Sequence, residues 1–140
     1  MNFKKIILII LFTFYFSSLP ANNKFFQEGL ILYKSKKFDE AKFKFEQDIV
    51  FNPKNEQSYL YLSKIFNNLE KKDLEEQNLN TVILLNPKNE EALYSLAKLK
   101  LDTSDYKKSK ELNDKLINLC SNYCDQSKKL KSEIENLSKK

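Results

Sequence analysis

The 140-residue chain contains no His, so the usual general base and the usual metal ligand near neutral pH are both missing. Reactive chemistry would therefore fall to Cys120 and Cys124, the only two cysteines. Their C-x3-C spacing is neither the C-x2-C of a thioredoxin-like redox site nor a zinc half-site with a second pair elsewhere. A disulfide between them is the first expectation for an exported chain, two free thiols the second and a redox catalyst the third. The bond carries a geometric condition. On a regular helix, residues four apart have Cβ atoms about 5–6 Å apart, whereas a disulfide wants about 3.5–4.5 Å. The helix must break between the cysteines, and Ser121-Asn122 supplies a place for it.

Charge excludes more than it suggests. The formal net charge is +5, but all 24 basic residues are Lys, and the forked guanidinium that reads guanine and phosphate is absent. The lysines alternate with acids, as in Lys36-Lys37-Phe38-Asp39-Glu40, the pattern of a solvated helical face. No nucleic acid, metal or cofactor is expected as a ligand, and no catalytic residue is assigned. The expectation is a protein that is not an enzyme.

The first 21 residues read as an address. Lys4 and Lys5 precede an apolar run from Ile6 to Phe16, and Ser17-Ser18-Leu19-Pro20-Ala21 follows. The run has 11 residues, within the roughly 7–15 of a secretory signal peptide and short of the ~20 of a bilayer-spanning helix. Cleavage after Ala21 is expected, giving a periplasmic or secreted protein. Leu19 is larger than the small residue that cleavage prefers two places before Ala21, so an uncleaved membrane anchor is the alternative. No Cys lies near the boundary to carry a lipid.

The elements that must position any site are helices. One Gly and three Pro are too few for the turns of an all-β fold, while Leu, Lys, Glu and Gln favour helix. The motif Asn52-Pro53-Lys54-Asn55-Glu56 returns as Asn86-Pro87-Lys88-Asn89-Glu90, 34 residues later. Laid out at this spacing, the row from Asn22 to Asn55 contains Phe25, Gly29, Leu32, Phe38, Ala41 and Phe45, then Pro53. This pattern resembles the tetratricopeptide repeat, a unit of about 34 residues built as helix–turn–helix with W-x2-L-G-x2-Y…A-x3-F…P. Phe25 stands for Trp, Leu32 for Tyr, and Glu28 departs from Leu. Pro53 would stop the second helix of the unit and Asn55 would cap the next. Glu56 suits the positive end of that next helix.

The resemblance implies an all-α, right-handed α-solenoid of about three such repeats, residues 22–55, 56–89 and 90–123. The segment 124–138, with Leu130, Ile134 and Leu137, would form a C-terminal capping helix. In the second row Glu75 stands where a small residue is expected, predicting looser or shifted packing there. The third row loses its terminal Pro and has Lys100 and Asn113 in apolar places.

The resemblance also implies a concave groove, lined by the first helix of each pair, that holds a partner's peptide or helix. Equivalent positions 34 apart form columns: Phe26, Leu60 and Tyr94; Leu30, Lys64 and Lys98; Tyr33, Asn67 and Leu101. Tyr61 falls beside the first. The leucines read as core. Phe26, Tyr33, Tyr61, Lys64, Asn67, Tyr94 and Lys98 remain as candidate partner-binding residues, with the tyrosines standing open as apolar anchors and the lysines favouring an acidic segment. The family members that clamp a chaperone's carboxylate have Lys and Asn where this chain has Phe26 and Leu30, which disfavours that mode. An exported adaptor or assembly factor is the leading reading, and a membrane-anchored structural subunit of an envelope complex is the alternative.

Overall fold

The structure, a computed structural model, describes residues 23–119 and 121–138. The expected leader and its cleavage point lie outside the described residues, as does Cys120. The described chain forms α1 (Lys24–Lys34), α2 (Phe38–Phe51), α3 (Glu56–Asn68), α4 (Lys72–Leu85), α5 (Glu90–Asp102), α6 (Tyr106–Leu119) and α7 (Cys124–Leu137). No strand occurs among the described residues. Helices α2, α4 and α6 begin 34 residues apart, and so do α3, α5 and α7. The protein is an all-α solenoid of three helical hairpins, with α7 packed on α6 and α5.

The punctuation works as its chemistry requires. Helices α2 and α4 end two residues before Pro53 and Pro87, which have no N–H to continue them. The Asn55 side chain then accepts from the Gln57 N–H at 3.2 Å, and that of Asn89 from the Ala92 N–H at 3.0 Å. The tight turn inside each hairpin uses a left-handed residue at the same place: Lys36 (φ 60°), Glu70 (φ 56°) and Ser104 (φ 62°).

Small residues bring the first hairpin together. A Cβ on Gly29 would stand 2.7 Å from Cε1 of Phe45, closer than such atoms approach. Ala41 and Phe45 are fully buried beside it. Ala41→Leu should overpack this contact and lower stability by about 1–3 kcal/mol, read by urea unfolding followed by circular dichroism.

Two apolar clusters run the length of the molecule. One joins Ala41 and Phe45 to Leu62, Ile65 and Phe66. The other runs from Leu60, Leu79 and Val82 through Leu96 and Leu116 to Leu130 and Ile134. Leu60 and Leu101 are core, as their columns suggested, and Leu30 packs on the first cluster.

The loosened second hairpin is not observed. Glu75 is buried at the α3–α4 contact, where Asn67 Nδ2 donates to both of its carboxylate oxygens at 3.1 Å. Leu79 and Val82 on the same helix are fully buried. A hydrogen-bonded pair therefore fills the space that a small residue would have closed. The other irregular positions are also accommodated. Lys100 reaches Glu76 at 2.6 Å, and buried Asn113 donates to the Ser127 carbonyl at 2.9 Å.

Candidate functional site

The repeats leave a concave groove of about 460 Å³ along α3 and α5, closed at one end by Tyr33 of α1 and floored by Glu75 of α4. Of the residues singled out from the sequence, Tyr33, Lys64, Asn67, Tyr94 and Lys98 line it. Phe26 and Tyr61 do not. They belong to an aromatic stack in which Tyr61 lies on Phe45 at 5.2 Å between ring centroids and meets Tyr33 at 5.0 Å and Phe26 at 6.1 Å. The open-face position expected for Tyr61 is thus corrected: the ring cements α3 onto the first hairpin. Tyr94 has a double placement, lining the groove while its ring contacts Tyr123 at 5.4 Å.

The lysines are not equivalent either. Lys64 pairs with Glu91 at 2.8 Å and sits 4.8 Å from the centre of the Tyr61 ring. Its charge is answered within the protein, so it adds little pull on an acidic partner. Lys98 is exposed and makes no salt bridge among the described residues. Sequence columns could not foresee this, because Glu91 reaches Lys64 only when α3 and α5 lie side by side.

Two carboxylates complete the groove, Glu75 and Asp102. Burial raises the Glu75 carboxyl above its ordinary value; the Asn67 hydrogen bond opposes this, Asp102 adds to it and Lys72 opposes it weakly. A raised folded-state value means that ionised Glu75 opposes folding once pH exceeds that value, and that stability returns as pH falls through it. Glu75→Gln should therefore raise the melting temperature at pH 7, by an amount that shrinks on acidification. Thermal melts of both chains between pH 7 and pH 4 test this.

A second set of acids, missed in the sequence as functional, ties each repeat to the next. Glu56 accepts from Asn86 Nδ2 at 3.0 Å and Asn89 Nδ2 at 3.4 Å, one repeat further on. Glu90, its equivalent, accepts from the Ser121 N–H and hydroxyl and from the Asn122 and Tyr123 N–H groups, all within 3.0 Å. The recurring final Glu of the two motifs was the available signal. The Ser121 hydroxyl and these backbone donors hold the Glu90 carboxyl down to about 2. Its stabilising contribution is present above the ordinary 4.5 and lost as pH falls toward about 2. Glu90→Gln should speed hydrogen exchange in α7 at pH 6 and change it much less at pH 2.5.

Cys124, the first residue of α7, is disulfide-bonded. Among the described residues no group of His, Cys, Asp and Glu could hold a metal, and no helix is long and apolar enough to cross a membrane.

The architecture is that of tetratricopeptide-repeat domains. The type III secretion chaperone SycD of Yersinia enterocolitica, in complex with a peptide of the translocator YopD, is similar with a TM-score of 0.75 at 16% identity, over 88% of this chain and 98% of that one. The TPR2B domain of yeast Sti1 in its Hsp70 complex gives 0.75 at 13% identity, over 82% and 96%. The Sgt2 TPR domain from Aspergillus fumigatus gives 0.72 at 20% identity, over 87% and 84%. No family model matches the sequence, and no curated protein matches it.

Proposed function

We propose that this protein is a tetratricopeptide-repeat interaction module without catalytic activity, an exported adaptor or assembly factor that holds a segment of another protein in the groove of α3 and α5. The observation that carries the reading is the groove itself: a concave surface with Tyr33 and Tyr94 on its walls and several charged groups in reach of a ligand. Such a mixture suits a peptide or helix, whose apolar side chains supply affinity while its polar ones fix register. The complexes of SycD with a YopD peptide and of Sti1 with Hsp70 support it by analogy of fold. Export rests on the layout of residues 1–21, with Lys4 and Lys5 before the apolar run.

The test is to block the groove without disturbing the core. Ser95 lines the groove and is partly exposed, so Ser95→Trp should fill the groove while leaving the fold intact. Full-length protein should capture an envelope protein by crosslinking, and Ser95→Trp at unchanged melting temperature should abolish that capture. Undiminished capture by Ser95→Trp would place binding on another face. Leu19 supports a second reading, the membrane-anchored subunit. Mass spectrometry of the exported protein separates the two: Asn22 at the N-terminus supports the adaptor, and a retained Met1 in the membrane fraction supports the anchor.

A further inference from the structure

We infer that the segment held in the groove carries a lysine or arginine, whose cation sits between Asp102 and Glu75. The inference rests on the groove being the binding surface and concerns the chemistry of what enters it. Five charged residues line the groove: Lys64, Lys98, Glu75, Glu91 and Asp102. Lys64 and Glu91 satisfy each other at 2.8 Å. One cation, Lys98, is left against two carboxylates, and the balance favours a basic visitor over the acidic one that the lysine columns suggested.

The position of Asp102 strengthens the case. It is the last residue of α5, at the end of a helix where the backbone dipole disfavours an acid and favours a base. It makes no salt bridge among the described residues, and Lys98, one turn before it, does not come within salt-bridge distance. A locally unfavourable charge kept in a concave surface is the kind of violation expected where function overrides stability. Glu75 lines the same groove, where the charge of Asp102 helps to raise its carboxyl, and among the described residues its only side-chain hydrogen-bond donor is the neutral amide of Asn67. An incoming guanidinium or ammonium group would relieve both carboxylates at once, as neither Lys98 nor the weakly acting Lys72 does. Tyr33 and Tyr94 then flank the cation with the apolar surface that its neighbours in the segment would need.

The experiment uses a random-peptide phage library panned on the full chain, with Ser95→Trp and Asp102→Lys as comparison chains. Selected peptides should share a Lys or Arg, and its replacement by Ala in the synthetic peptide should weaken binding on the order of tenfold, the scale of a well-placed charge pair. Asp102→Lys should lose these peptides and select Asp or Glu in their place; its melting temperature should not fall, since Lys suits the end of α5. Peptides that are blocked by Ser95→Trp but are acidic or uncharged would overturn the cation inference and leave the groove reading standing. A library yielding no peptide sensitive to Ser95→Trp would overturn both.

Discussion

Phe45→Ala should cost about 3–5 kcal/mol, the range for deleting a fully buried aromatic ring. The ring has no exposure to solvent and touches two other helices. It fills the space beside Gly29 on α1, meets Phe26 at 5.8 Å, and carries Tyr61 of α3 stacked at 5.2 Å. Its removal opens a cavity that Gly29 has no side chain to fill, and it also frees Tyr61 from its stack. The functional consequence follows through Tyr33, which contacts Tyr61 at 5.0 Å and forms one end of the groove. Urea unfolding should show the loss in midpoint. The conservative Phe45→Leu should recover most of it, because Leu retains much of the volume. A loss below 1 kcal/mol for Phe45→Ala would mean that the first hairpin collapses readily onto the space and that the ring does not organise it.

The second large effect is expected at a polar residue. Asp48→Ala should cost on the order of 3 kcal/mol, since it removes an acceptor serving three donors in a buried place. Asn52 Nδ2 donates to one oxygen at 2.9 Å, while Asn55 Nδ2 and the Ser58 hydroxyl each donate to the other at 2.6 Å. Asp48 and Ser58 are fully buried, so the Ser58 hydroxyl would lose its partner out of reach of water. The equivalent positions one repeat later are Val82 and Ala92, both apolar and fully buried. That comparison supplies the control: Asp48→Val with Ser58→Ala should be far less damaging than Asp48→Ala alone, because donor and acceptor leave together. Equal losses in the two chains, measured by urea unfolding, would show that the carboxyl is not the organiser of this turn.

The architecture was legible because the sequence repeats its stop and start signals. Pro53 and Pro87 can end a helix in only one way, and Asn55 and Asn89 cap the next by local bonds, so their spacing carries the fold. Gly29 and Ala41 were legible as the close contact for the same reason. The site was less so. The neutralisation of Lys64 by Glu91, the hydrogen bonding of Glu75 to Asn67 and the stacking of half-buried Tyr61 on Phe45 are all contacts between helices. Column reading assigns a residue to a face but does not say what the neighbouring helix brings to it. The different anchors of successive turns show the point well: Asp48 from the preceding helix holds the first, and Glu56 from one repeat earlier holds the second.

Glu56 and Glu90 act in one direction only, each gripping the turn that follows its own hairpin. The column they occupy continues to Cys124 at the start of α7, where a disulfide-bonded sulfur replaces the carboxylate. In the language of a one-dimensional chain of coupled units, the acids add a polar part to the nearest-neighbour coupling that the apolar core supplies, and Cys124 is a position without that part. Weakening Glu56 should loosen the second hairpin's hold on the third, and weakening Glu90 the third hairpin's hold on α7, each broadening the unfolding transition.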